Sequence, residues 1–312
     1  MNLIPKRLSQ FISGITLLVL ISSCGHKNQQ IEHDKYITEI NQWHQQRIHS
    51  LKQEDSWLSL AGLYDIKEGT HTFGSDSSNN LIFPPKAASE LGTITRHDSV
   101  FQFTINPKAE VTNGNGEPVS ETVMHPINGE GSQTKLRYHS LFWYIIKRRD
   151  HYFIRLKDAQ NPNFDAFNGI ERFPISQKWR VKATFHRFDK PETISIPDVL
   201  GEVFQDSLYG RLDFTIEGQG YSLAPLGNPD TDDQFFIIVG DKTNGNSTYG
   251  GGRFIYCATP DENGVTYIDF NKAYDPPCVF TEFATCPLPP TQNRLPIRIT
   301  AGEKMYHPLK QL

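Results

Sequence analysis

The sequence holds no uninterrupted apolar run of the roughly 20 residues that a bilayer-crossing helix needs. Its most apolar stretch, Phe11 to Ile21, covers about half that length, so a permanent transmembrane helix is not expected. Cysteine is scarce, with four among 312 residues, and the three beyond Cys24 lack the paired spacing or neighbouring histidine of a zinc site. No metal is expected. Blocks of like charge are also missing: 31 Lys and Arg stand interspersed among 35 Asp and Glu, for a net charge of -4. Nothing in that pattern favours nucleic acid or an anionic lipid surface as a partner. After Lys52 no second long helical pattern occurs, which argues against an α/β sheet with crossover helices. Nucleophile elbow, paired-histidine helix, Walker loop and dinucleotide fingerprint are all missing in usable context, so no cofactor is expected.

What is present at the N-terminus has the order of a secretory signal: Lys6 and Arg7, the apolar stretch Phe11 to Ile21, then Ser22 and Ser23 directly before Cys24. Leu20-Ile21-Ser22-Ser23-Cys24 resembles the bacterial lipobox, whose cysteine is diacylated and becomes the new N-terminus. The resemblance implies a signal peptide over 1–23 and attachment of fatty acyl chains such as palmitate at Cys24. Two or three chains hold a protein on a membrane where one gives only marginal binding. Gly25 in place of Asp after the cysteine points, by resemblance to the sorting rule, to the outer membrane. The expected location is the cell envelope, with the membrane as partner through the lipid.

The polar stretch 24–32 reads as a tether. From His33 to Lys52, Ile37, Ile40, Ile48 and Leu51 fall at helical offsets, with His44 filling the gap in their stripe. Beyond Trp57 the pattern changes to short apolar or alternating runs punctuated by Gly, Pro, Asn and Asp, among them Val100 to Ile105, Leu141 to Ile146, Phe235 to Val239 and Val265 to Phe270. Spacing of this kind predicts sandwiches or barrels. The expected fold is mainly β, with an N-terminal helix and a β-sandwich over 33–165, and a second sandwich or barrel-like domain over 166–312. The boundary is placed in the Asn-, Asp- and Pro-rich stretch near 158–178.

Several runs look familiar together: Trp57 to Tyr64 (WLSLAGLY), Gly74-Ser75-Asp76, Gly252-Arg253-Phe254, Asp269 to Cys278 (DFNKAYDPPC), Cys286 to Pro290 (CPLPP), Asn293-Arg294-Leu295 and Ala301 to Lys304 (AGEK). They resemble the bacterial and archaeal family catalogued as domain of unknown function 1684, from about residue 43 to the C-terminus and most specifically over Gly252 to Lys304. That family commonly has Asn where this chain has Asp275, a change that keeps an oxygen acceptor and adds a charge. The resemblance implies a fold region and a candidate site, and no activity. A weaker echo, Phe73 to Ile82 followed by Val111 to Gly116, is similar to the forkhead-associated β-sandwich. It lacks the Ser and Arg pattern that family uses on phosphothreonine, so it implies a sandwich and not phosphopeptide binding.

The candidate site is the C-terminal cluster of Arg253, Asp269, Asn271, Tyr274, Asn293 and Glu303. Asp269 and Asn271 face the same side if their strand continues two residues, and an acid, an amide and a guanidinium together suit an anionic or polyhydroxy ligand. A structural reading stands beside it: Arg253 and Asp269 pair across strands while Asn271 and Asn293 cap the proline-rich loop. Cys278 and Cys286, eight positions apart in that loop, are expected to form a disulfide in an oxidising compartment, leaving Cys257 as a buried, inert thiol. Gly240 to Gly252, with Asn244-Gly245 inside it, reads as a hairpin connection rather than a phosphate-cradling loop, since no helix follows. The leading expectation is a lipid-anchored envelope protein that binds a small polar or carbohydrate-like ligand. The alternatives are an envelope hydrolase or lyase with Asp269 or Glu303 as acid or base, and a structural envelope component.

Overall fold

The computed structural model describes residues 12–126 and 134–308, with side chains from Gln30 onward. Lys6, Arg7 and the side chain of Cys24, on which the signal and lipid expectations rest, lie outside the described residues.

Helix α1 (Ile12–Leu51) contains the helix expected over His33 to Lys52, and its backbone continues N-terminally through the stretch read as a tether. Tyr36, Ile40, His44 and Leu51 are buried along one face, at the spacing a 3.6-residue turn imposes. Ile40 is fully buried, which contributes roughly 2 kcal/mol. The helix ends in tightened turns, with the Lys52 and Gln53 amides donating to the carbonyls of His49 (3.1 Å) and Ser50 (3.2 Å). Among the described residues no helix is long and apolar enough to cross a membrane.

Ten short strands follow: β1 (Leu60–Asp65), β2 (Gly69–Gly74), β3 (Leu81–Ile82), β4 (Gly92–His97), β5 (Val100–Ile105), β6 (Thr112–Asn113), β7 (Glu121–Met124), β8 (Leu136–Tyr138), β9 (Leu141–Arg148) and β10 (His151–Asp158). They form two five-stranded sheets, ordered β1-β10-β9-β8-β6 and β3-β2-β4-β5-β7. Alternation makes the layers: in β5, Phe101, Phe103 and Ile105 turn inward while Val100, Gln102 and Thr104 face out. Phe73, Ile94 and Phe103 of one sheet share a core with Trp143, Ile145 and Ile154 of the other, closing a β-sandwich. In β9 even the outward Phe142 and Tyr144 are buried, because Lys135 and Arg137 lie over Phe142 (5.8 and 4.9 Å) and Lys157 over Tyr144 (5.9 Å).

The C-terminal region has six strands: β11 (Arg180–Pro197), β12 (Val203–Ile216), β13 (Gln219–Leu223), β14 (Gln234–Val239), β15 (Arg253–Ala258) and β16 (Val265–Asp269). The sheet β13-β12-β11-β16 is antiparallel throughout, and β14 pairs with β15 as a separate ribbon. Phe235, Ile237 and Val239 of the ribbon pack with Val181, Leu212 and Ile268 of the sheet. Ile238, on the opposite face of β14, joins Ile194, Leu208 and Cys286 in a further apolar cluster. Burial on both faces is why β14 reads as an almost continuous apolar run. Although α1 precedes the sandwich in the chain, its buried face lies on this C-terminal region: Leu51 packs with Leu58, Phe167, Phe280 and Tyr306. The protein is thus mainly β, with an N-terminal helix, a sandwich and a second layered β region.

Candidate functional site

Arg253 opens β15 and is completely buried. Its guanidinium binds the Asp241 carboxylate at 2.8 Å and the main-chain carbonyls of Ile299 (3.1 Å), Glu303 (3.3 Å) and Ala301. Asp241 also accepts from the Thr243 hydroxyl (2.6 Å) and the Ile299 amide (3.2 Å). Arg253 therefore pairs with Asp241 and not with Asp269, and it ties the C-terminal segment to the ribbon. The adjacent Gly252 and the later Gly302 have φ of +86° and +75°, and a Cβ at either would collide with neighbouring backbone or proline. These two glycines let the C-terminal segment pass close to the strands.

Asp269 and Asn271 do not share a continued strand face. β16 stops at Asp269, whose carboxylate caps a short 3-10 turn by accepting from the Asn271 amide at 3.0 Å. Tyr36 of α1 donates to Asp269 (3.0 Å), while Asn271 donates to the Tyr36 hydroxyl (2.8 Å) and the Ser176 carbonyl (2.9 Å). Burial raises the Asp269 pKa above the carboxylate range, opposed by its bonds from Asn271 and Tyr36. Asn293 is likewise engaged in structure: it accepts from the Ala224 amide (2.7 Å) and donates to the carbonyls of Ala224 (2.9 Å) and Ile238 (3.0 Å). Cys278 and Cys286 are joined as a disulfide, Cα atoms 6.1 Å apart. Cys257 is buried, and burial pushes its thiol up to about 12, where little nucleophilic thiolate exists.

Glu303 and Tyr274 meet a residue that the sequence reading passed over, Arg47 of α1. Its guanidinium binds Glu303 at 2.9 Å and the Asp275 carbonyl at 2.8 Å, and lies over the rings of Tyr274 (4.6 Å) and Trp57 (4.8 Å). Glu303 further accepts from the Asp275 amide at 2.7 Å. Tyr274 stacks with Tyr256 at 6.3 Å, and burial raises its hydroxyl pKa.

Arg253 Nε is left without a partner among the described residues of this network, and the Asp275 carboxyl is left so more completely. It is fully buried, yet neither oxygen has a hydrogen-bond partner among the described residues. The Tyr306 amide is near enough to favour its charged form but falls outside hydrogen-bond geometry. Burial first, and the Glu303 charge second, push its pKa up to about 7, against the pull of Arg253 and Arg47. Ser247 Oγ and His44 Nδ1 are also buried without a partner among the described residues. The Ser247 carbonyl accepts from the Met305 amide (3.1 Å), and His44 Nε2 meets the Ile170 carbonyl (3.1 Å). A cleft of ≈ 760 Å³ lies beside them, lined in part by Ile48, Ile170, Ser247, Met305 and Tyr306. None of the six predicted site residues lines it. The six divide instead into an Arg253 anchor, a Tyr36-Asp269-Asn271 latch, an Asn293 loop clasp and the Arg47-Glu303-Tyr274 contact.

The residues that sequence reasoning missed are Tyr36, Arg47, Asp241 and Ser247, and it treated Asp275 only as a departure from a motif. Tyr36 sits four before Ile40 and Arg47 three after His44 on the buried stripe, a periodic signal that was present. Nothing local marks Asp241 or Ser247, which acquire their neighbours from β15 and from the C-terminal segment.

The class these features define is a mainly β protein with a helix latched across its C-terminal β region over a buried acidic and basic layer. The model of the family described as protein of unknown function (DUF1684) matches residues 165–304 of the chain. That span is shorter than the expected reach from residue 43, and it contains the whole stretch from Gly252 to Lys304. A solved structure, the solution NMR structure of an uncharacterised protein from Haloarcula marismortui, is similar at 30% identity, covering 45% of this chain and 78% of that one, with a TM-score of 0.37. No curated protein matches the chain.

Proposed function

We propose that this chain is a lipid-anchored cell-envelope protein whose C-terminal β region takes up a small polar or carbohydrate-like ligand beside Asp275. One observation carries the ligand reading: a completely buried carboxyl with both oxygens unpartnered among the described residues, whose neighbour Tyr306 lines a cleft. Burying a carboxyl without hydrogen bonds is costly, and folded proteins leave very few such groups unless a water or guest completes them. Ser247 Oγ, unpartnered and lining the cleft, supplies a second polar contact of the kind that orients a hydroxyl-bearing molecule. The envelope location and the anchor rest on the lipobox-like Leu20 to Cys24 and its preceding signal.

A catalytic reading, an envelope hydrolase or lyase, is favoured by a different observation. Asp275 holds its proton to about pH 7 while the adjacent Glu303 is ion-paired with Arg47, so the environment separates two neighbouring carboxyls into different roles. Asp269, the other acid considered for such a role, is engaged by Tyr36 and Asn271.

Thermal-shift screening of the full chain against envelope sugars, amino sugars and short peptides tests both. A ligand that binds the folded state raises the melting temperature by mass action. The binding reading expects such a shift in the wild type and its loss in Asp275→Asn. The catalytic reading expects Asp275→Asn to keep the shift and lose product formation. A panel without stabilising compounds, together with a fully folded Asp275→Asn, returns the site to a structural role.

A further inference from the structure

A second cleft, of ≈ 530 Å³, opens where the sandwich meets the β11–β12 hairpin. One wall is formed by Arg148, His151 and Phe153, the other by Leu200, Phe204 and Pro287. The hairpin tip beside it is apolar and open to solvent, with Leu200 65% and Val203 58% exposed. Turns of this kind ordinarily carry polar residues, so the apolar tip extends the cleft wall rather than merely closing a loop.

The acids of the lining each have a cationic partner, although Asp65 Oδ1 itself has no hydrogen-bond partner among the described residues. Asp198 binds Arg149 at 2.6 Å and Glu202 binds the same guanidinium, while Asp65 pairs with Lys67 and faces His151 at 3.7 Å. Arg149, at φ 57°, also lies over Phe204 at 5.0 Å, so it braces the hairpin wall against the sandwich. The neighbouring Arg148 is exposed, and its side chain makes no ion pair or hydrogen bond among the described residues. An apolar slot with one uncommitted cation at its edge, at a domain junction, is complementary to a molecule with an apolar body and a single negative head.

We propose that this interdomain cleft binds a monomeric amphipathic anion, its apolar body between Phe153, Leu200 and Phe204 and its head group on Arg148. The site is separate from the one beside Asp275.

Isothermal titration of the full chain with decanoate, below its micellar range, and with decylammonium tests this. Decanoate is expected to bind at least about tenfold more tightly than decylammonium, because only the anion gains the Arg148 contact. Arg148→Glu inverts that order, Leu200→Asp weakens decanoate about tenfold, and Asp275→Asn leaves it unchanged. Arg148 and Leu200 are exposed, and melting curves check the folding of their variants; should Arg148→Glu melt early, Arg148→Gln is read in the same assay, with loss of the anion preference expected. Absence of decanoate binding, equal affinity for the two probes, or affinity untouched by the variants overturns the proposal. Binding only to phosphatidylglycerol vesicles also overturns it, by making this face a membrane-docking surface.

Discussion

Asp275 shows how far a single side chain departs from what its type predicts. An aspartate is ordinarily ionised above pH 4, but here burial and Glu303 raise its pKa from 3.8 to about 7. The folded chain then holds this proton more tightly than the unfolded chain does. The resulting stabilisation is fully present below about pH 4 and is lost as pH rises through about 7. Asp269, also raised by burial, acts in the same direction. Asp275→Asn, the residue common in the family that this chain resembles, keeps the shape and removes the titration. It is expected to raise stability at pH 8 by roughly 2 to 4 kcal/mol and to change it little at pH 4. Urea unfolding of both proteins at the two pH values checks this; equal stability changes at both would show that the carboxyl does not titrate in this window.

At the scale of elements, two buried polar latches about three turns apart on one face hold α1, Tyr36 on Asp269 and Arg47 on Glu303. Both leave a buried acid behind if broken. Tyr36→Phe is expected to cost about 1 to 3 kcal/mol by leaving Asp269 underbonded, and Arg47→Met about 3 to 5 kcal/mol by exposing Glu303 to an uncompensated burial. Hydrogen exchange read by mass spectrometry should show faster exchange over residues 36–51 in each variant. Unchanged protection there would mean that apolar packing alone seats the helix. The Cys278–Cys286 loop is an element held differently, by a covalent bridge among prolines rather than a hydrogen-bonded ladder. Closing so short a loop is worth about 2 to 3 kcal/mol in chain entropy, so reduction should lower the melting temperature measurably without unfolding the chain.

For the molecule as a whole, two contacts distant in sequence join its parts: the N-terminal helix on the C-terminal region, and the Arg149 brace between sandwich and hairpin. The proposed lipid anchor belongs to this scale because it would determine which solvent both clefts face. Intact-mass analysis of native material should give a chain beginning at an acylated Cys24. A free thiol there, or a retained leader, would remove the membrane and the envelope from the proposal together.

The one-dimensional pattern was enough for the stranded character, the single long helix and the runs Val100–Ile105, Leu141–Ile146, Phe235–Val239 and Val265–Phe270, the last of which ends one residue early as a strand, because period and apolar runs are local properties of a chain. It also concentrated attention on Gly252 to Lys304, within the span that the family model matches. Contacts between residues hundreds of positions apart leave no local trace. Pairing Arg253 with Asp241 instead of Asp269, laying Tyr36 and Arg47 on partners 233 and 256 residues away, and isolating the Asp275 carboxyl all required the helix and the C-terminal segment to meet in space. Periodicity encodes which face is apolar; only packing decides what that face, and each buried charge upon it, will touch.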